Sequence, residues 1–193
     1  MLEKFKICYH GTTTKQQLNM MQSQGIQLKY SAKATDFGQG FYVTTNYEQA
    51  KSWALRKAMK EQSEYLLANQ TIDQSIVDTM IQPVILTYTI DTLELRQLKG
   101  KEFISPGKDW ANFILSNRIR PLSYTEIEYD YAVGPVADGN VFKIMMDFQD
   151  NHIDQEEFHH KIIPKGKMKL YNQLSMNSLK AVQYLQYKGS ELV

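Results

Sequence analysis

The chain has 193 residues, with 22 Lys and Arg against 21 Asp and Glu and a formal charge of +1. No global field therefore draws it to nucleic acid or a membrane surface, and the length suits one domain, residues 1–193, with a full core. The lone cysteine, Cys8, excludes an internal disulfide and suits a reducing cytoplasm; the first residues lack the apolar core of a signal peptide, and no window approaches the roughly 18 apolar residues of a membrane helix.

In chain order, residues 4–10 alternate, with Phe5, Ile7 and Tyr9 on one side and Lys6, Cys8 and His10 on the other. That pattern predicts a strand ending at His10. Thr14 to Gln24 predicts a short helix capped by Thr14 and stopped by Gly25. Residues 39–44 predict a second strand after a glycine turn. Asn46 followed by Gln49 resembles a capping box that opens a helix through Trp53, Leu55 and Met59. Residues 61–82, polar with scattered aliphatics, read as a candidate helical insertion. Val84 to Ile90, rich in β-branched residues, predicts a strand. Asp109 to Asn117 predicts a helix with Trp110, Phe113 and Ile114 on one face. Tyr129 to Val136 predicts a strand broken at Gly134-Pro135, and Met168 to Ser175 another strand. Asn177 to Tyr187 predicts a closing helix that packs Leu179, Val182 and Leu185. Strands outnumber helices in this reading and interleave irregularly, which predicts an α+β fold over a doubly wound sheet.

Two segments about thirty residues apart set a ring beside glycine: Tyr9-His10-Gly11-Thr12 and Asp36-Phe37-Gly38-Gln39-Gly40-Phe41-Tyr42-Val43-Thr44-Thr45. Glycine lets backbone amides approach a ligand closely. A His on one strand and a Tyr on another, both flanked by glycine, line a slot for a flat aromatic amide such as nicotinamide. Taken alone, His10 reads as a strand histidine bonded to a neighbouring backbone group. Phe41 and Tyr42 are adjacent and point to opposite faces, so one is core while the other faces a cleft. Trp53 reads equally as a helix residue packed on the sheet, and Thr44 and Thr45 as ordinary strand residues. Gln173 reads as a surface glutamine on an edge strand.

Other constellations carry less. Cys8 and His10 share a strand face roughly 6.6 Å apart, too far for direct activation of a thiolate. His152, Asp154, His159 and His160 read as a solvated acidic-basic loop rather than a metal site. Asp109 and Arg118 read as the cap and the dipole partner of one helix. Gly38-Gln39-Gly40 is neither a dinucleotide-binding Rossmann turn nor a P-loop.

Tyr9-His10-Gly11-Thr12, Gly38 to Thr44, and Gln49-Ala50-Lys51-Ser52-Trp53-Ala54 resemble the ADP-ribosyltransferase superfamily. The likeness is to its diphtheria-toxin/PARP-like branch, whose signature is His, Tyr and a third Glu, Asp or Gln. The chain is most similar to the bacterial family DUF3990, whose pattern of HG, GxGFYxT, QAxxWA, NR, YDxxxGPVAD and NQ is echoed from residue 8 to about residue 187. The resemblance implies a split β-sandwich around an NAD cleft with flanking helices, and NAD as substrate without a metal. It implies that His10 bonds the 2′-hydroxyl of the nicotinamide-side ribose and that Gly11 holds the carboxamide through its backbone. Thr12, Tyr42, Thr44 and Trp53 complete the binding set, with Tyr42 and Trp53 stacking on the ring. Gln173, in Tyr171-Asn172-Gln173, takes the third catalytic position beside His10 and Tyr42.

A glutamine there accepts a hydrogen bond but carries no charge and cannot act as a general base. That favours single transfer over polymer elongation. Asp130 and Asp138 are the carboxylates considered as sources of charge, Asp138 reading foremost as a turn residue. The activity implied is mono-ADP-ribosyl transfer to a macromolecular acceptor, protein or nucleic acid, with release of nicotinamide. The implied setting is a cytoplasmic toxin with an antitoxin protein as partner. The alternative is a catalytically weak or inactive module that binds NAD, ADP-ribose or a partner. An NAD-dependent RNA 2′-phosphotransferase of the same fold is a third reading, for which the basic phosphate-binding motifs are not evident.

Overall fold

The computed structural model describes residues 1–23 and 25–193; the expected end of the first helix, at Gln24, lies outside the described residues. Among the described residues, seven strands form two sheets. The first is antiparallel, with β1 (Ile7–Thr13), β3 (Pro83–Ile90) and β7 (Leu185–Leu192) in the order β1-β3-β7. The second comprises β2 (Phe41–Val43), β4 (Gly100–Glu102), β5 (Tyr131–Pro135) and β6 (Asn172–Met176) in the order β2-β6-β5-β4, with only the β4–β5 pair parallel. Eight α-helices accompany them among the described residues: α1 (Thr14–Gln22), α2 (Tyr47–Ala68), α3 (Gln74–Met80), α4 (Thr92–Leu95), α5 (Lys108–Ile119), α6 (Val141–Gln149), α7 (Gln155–Ile162) and α8 (Leu179–Val182). The fold is α+β, and helices outnumber strands, the reverse of the expected count.

Strand alternation sorts the side chains into layers. On β3, Val84, Leu86, Tyr88 and Ile90 face the second sheet and meet Phe41, Val43, Val133, Leu174 and Met176 in one core. The other face of the second sheet carries Ala132 against Phe37 and the helical residues Trp110, Ile114, Phe158 and Ile162. The indole of Trp110 donates to the Pro135 carbonyl at 3.1 Å. The outer face of the first sheet receives α2 through Ala50, Ala54 and Ala58. A Cβ on Gly11 would run into the Ala50 carbonyl oxygen, so only glycine admits the helix this close.

Several expected elements differ. A 3-10 turn covers Leu2–Lys6, and β1 starts at Ile7 and continues to Thr13, where Thr12 and Thr13 pair with Val84 and Pro83. His10 is therefore mid-strand. Thr13, not Thr14, caps α1, its hydroxyl accepting from the Gln16 amide at 3.3 Å. Strand β5 runs unbroken through Gly134-Pro135; a Cβ at Gly134 would press on Phe103 and Phe37 at 3.0 and 3.1 Å, which accounts for the glycine. The strand expected from Met168 begins only at Asn172, after a 3-10 turn over Gly166–Leu170. The expected closing helix shrinks to the single turn of α8, and Leu185 enters β7 because the free edge of β3 offers it a full ladder. Residues 61–82 contain the last two turns of α2 and all of α3. Val77 and Ile81 are buried there, and the Gln62 side-chain amide donates to the Ile81 carbonyl at 2.8 Å. The expected loop at residues 152–160 includes α7, capped by Asp154, whose carboxylate accepts from the Glu157 amide at 2.9 Å.

Candidate functional site

The two sheets touch through one bridge and then part. The Tyr9 and Thr44 backbones exchange hydrogen bonds of 2.8 and 2.9 Å, and β1 and β2 diverge beyond them. His10 wedges this fork. Its Nδ1 lies 2.6 Å from the Tyr42 carbonyl, and its ring stacks on Phe41 at 4.2 Å between centroids. A carbonyl only accepts, so Nδ1 carries the proton and Nε2 presents a lone pair. That lone pair faces the Lys57 ammonium, 3.5 Å away. Burial, then the Lys57 charge, pushes the imidazole pKa down to about 3, against the Tyr42 hydrogen bond. Burial also brings Lys57 down to about 8, against the charge of Glu61. The Glu61 carboxylate is held by Thr13 Oγ1 at 2.7 Å and Gln16 Nε2 at 3.0 Å.

Gly11 follows directly. Because Tyr9 directs its N–H and C=O to Thr44, the alternation of an antiparallel ladder turns those of Gly11 the same way, off β3 and toward the fork. In the antiparallel register set by Tyr9 and Thr44, Gly11 lies opposite Tyr42, whose carbonyl bonds the His10 imidazole instead. Gly11 is buried and His10 partly so, with the Lys57 side chain beside the imidazole.

Tyr42 does not join His10 through its ring. Its carbonyl faces the imidazole, but its phenol lies on the opposite face of β2, alongside Ser175 and Gln173 of β6. There the hydroxyl accepts from the Phe37 amide at 2.9 Å, donates to the Gly38 carbonyl at 2.8 Å, and lies 2.8 Å from Thr35 Oγ1. Burial pushes its pKa well above the ordinary value of 10.0. The expected slot between imidazole and phenol is not preformed, because adjacent sites of one short strand cannot turn both Phe41 and Tyr42 toward His10.

Gln173 is a buried residue, not a surface one. Its Nε2 donates to Asp36 Oδ2 at 3.0 Å and to the Pro135 carbonyl at 3.3 Å. Asp36 Oδ1 in turn accepts from Arg118 Nε at 2.9 Å and Nη2 at 2.6 Å. Asp36 is thus the carboxylate beside Gln173. Asp130 accepts from the Lys99 amide at 3.1 Å, and Asp138 closes a turn to the Asn140 amide at 3.2 Å. Arg118 sits in the last turn of α5, as expected of a dipole partner, and also forms the ion pair with Asp36. Asp109 sits in the first turn of α5 but does not cap it, since Gly107 occupies the cap position.

The remaining expected residues divide. Thr12 is buried in β1. Thr44 Oγ1 donates to Gln49 Oε1 at 2.8 Å and accepts from the Asn46 amide at 3.0 Å, while Gln49 Oε1 also accepts from the Asn172 amide at 3.2 Å. Only half of the capping box forms, Asn46 accepting from the Gln49 amide at 2.9 Å, because the Gln49 side chain is drawn to β6. Thr45 is tied to Asn172. Trp53 is 47% exposed, one turn before Lys57 on α2, with the Arg56 guanidinium 4.5 Å above its ring. Cys8 is buried, its thiol pKa pushed up to about 12 by desolvation. His159 Nε2 lies 3.0 Å from the Pro106 carbonyl.

Two surface depressions lie beside Phe103–Trp110 and beside Asn112–Arg120, and no expected site residue lines either. No helix among the described residues is long and apolar enough to cross a membrane. A family model described as "Protein of unknown function (DUF3990)" matches residues 7–187. No curated protein and no solved structure matches the chain.

Proposed function

The chain belongs to the DUF3990 family, and we propose that it is an NAD-dependent mono-ADP-ribosyltransferase of the diphtheria-toxin/PARP-like kind, its two sheets forming that superfamily's split sandwich. The observation that carries this reading is the fork: a neutral imidazole with a fixed tautomer, next to a glycine whose backbone donor and acceptor face the gap. A carboxamide is itself one donor and one acceptor, and it matches such a backbone pair without charge. In this reading the nicotinamide end enters the fork by displacing the Lys57 side chain. Trp53 offers a stacking face, and the Lys57 ammonium attracts the pyrophosphate.

The C1′–N bond breaks with its electron pair passing to the pyridinium nitrogen, releasing neutral nicotinamide. The acceptor's nucleophilic atom bonds C1′ and its proton passes to solvent. Because the leaving group is already cationic, holding NAD bent and oriented supplies most of the acceleration. The acceptor is a protein or nucleic acid, and the setting we propose is a cytoplasmic toxin restrained by an antitoxin protein.

The test incubates the purified chain with NAD and cell lysate, then measures nicotinamide release and ADP-ribose adducts by mass spectrometry. Adducts formed by the wild type and lost in His10→Ala are the expected result. Identical spectra for the two overturn it. The second reading, an NAD-binding module, is favoured by the fully bonded Tyr42 phenol and the uncharged Gln173. Calorimetric NAD binding without any nicotinamide release selects it.

A further inference from the structure

The amide of Gln173 has one allowed orientation. Both groups that meet its nitrogen, the Asp36 carboxylate and the Pro135 carbonyl, can only accept, so Nε2 must point at them and Oε1 must point away. No donor reaches Oε1, yet it is not among the fully enclosed unpartnered atoms of the described residues, which are Ser175 Oγ and Asn177 Oδ1. The oxygen therefore opens to solvent from an otherwise buried side chain. Asp36 cannot swing aside, because Arg118 grips its other oxygen with two donors and the pair is largely buried.

We propose that Asp36, clamped by Arg118, is a positioning residue that locks Gln173 with its amide oxygen outward as the acceptor for a ribose hydroxyl of NAD. The ligand assignment rests on the transferase reading above; the locked amide does not. The arrangement also accounts for glutamine at this position. A glutamate would set a second carboxylate against Asp36 at hydrogen-bond distance, and the two could not both ionise.

Asp36→Asn gives the sharpest test. Arg118 demands the oxygen of the new amide, so its nitrogen faces Gln173, and Gln173 gives up its longer 3.3 Å bond to the Pro135 carbonyl and flips to present a donor outward. NAD affinity by calorimetry then falls about tenfold, the worth of one hydrogen bond to a hydroxyl. Adding Gln173→Glu restores an outward acceptor whichever way the group turns, and most of the affinity returns. Gln173→Glu alone lowers both affinity and melting temperature. A purely structural Asp36 gives no such rescue, and a double variant no better than Asp36→Asn overturns the proposal. Arg118→Lys, which keeps the charge but loses the fork, weakens affinity less than Asp36→Asn; equal affinity for Arg118→Lys and wild type counts against the clamp. Side-chain amide NMR without ligand separates this from the transferase reading. Slow exchange of the Gln173 Nε2 protons in the wild type, lost in Asp36→Asn, supports the lock even where NAD does not bind. Unchanged shifts and exchange in a folded Asp36→Asn overturn it.

Discussion

The imidazole of His10 meets the carbonyl of Tyr42 at 2.6 Å, where the two sheets separate. That one bond fixes the tautomer of the histidine and replaces the ladder bond that Tyr42 would otherwise make to β1. It places the fork between a strand whose glycine is covered by α2 and a strand whose next ring, Phe41, packs on the imidazole.

Gly11→Ala tests how tightly α2 is seated. The new Cβ would meet the Ala50 carbonyl and lie 2.8 Å from the Ala54 amide nitrogen, both backbone groups of a long helix. Relief requires the helix to lift. Urea unfolding should show a loss of at least about 2 kcal/mol, in the range of core overpacking. A variant as stable as the wild type would mean that the helix seat is loose.

His10 makes the fold sensitive to acid. Its folded pKa is about 3 against an ordinary 6.5. Between those values the unfolded chain takes up a proton that the folded chain refuses, so stability falls as pH drops from about 6.5 toward 3. The slope from this one group is at most about 1.4 kcal/mol per pH unit. His10→Gln should flatten the urea midpoint between pH 6 and 4. A slope equal to that of the wild type would place the responsible group elsewhere.

Lys57 acts with the same sense at the alkaline end. Its folded pKa is about 8 against an ordinary 10.5. In that window the unfolded chain binds the extra proton, so stability rises with pH from about 8 to 10.5. At pH 7 the folded chain bears the whole penalty of the half-buried ammonium. Lys57→Met should therefore melt at a higher temperature than the wild type at pH 7, with the gap closing by pH 10. If the substitution lowers the melting temperature at pH 7, the ammonium has a stabilising partner in the fork.

Arg118 and Asp36 are bonded although 82 residues apart in sequence. Arg118→Ala leaves a buried carboxylate beside Gln173 without its counter-charge, at an expected loss of about 3 to 5 kcal/mol. Asp36→Asn with Arg118→Met, which removes both charges, should lose less than Arg118→Ala alone. Thermal unfolding of these two variants decides it, and a double variant that loses as much as Arg118→Ala or more would show that the pair is not coupled.

What could be read in the sequence depended on range. Strand β3 was legible because Val84, Ile85, Thr87, Thr89 and Ile90 are β-branched and most of the strand is enclosed. The Asn46 cap and the Trp110–Ile114 face were legible because their partners lie within one helical turn. Strand β7 was not: Leu179, Val182 and Leu185 fall at helical spacing, and only the vacant edge of β3 selects the extended form. The faces of Phe41 and Tyr42 were known to be opposite, but which ring met His10 depends on pairing with β6 and on the loop that binds the phenol. Asp36 opened a segment already singled out for its glycines. Its link to Gln173 and Arg118 has no local signature, and the lateness of Lys57 on α2 likewise hid its approach to His10.

Trp53 separates binding from folding. Its ring is 47% exposed, with the Arg56 guanidinium 4.5 Å above it, so Trp53→Ala should change stability by less than about 0.5 kcal/mol. In the transferase reading the same ring stacks on the nicotinamide end of NAD, an interaction worth about 1 kcal/mol. NAD affinity should then fall about fivefold with an unchanged melting curve, and Trp53→Phe should recover most of it. Equal affinity for Trp53→Ala and wild type would remove Trp53 from the site and shift the ring-binding surface to the His10 side of the fork.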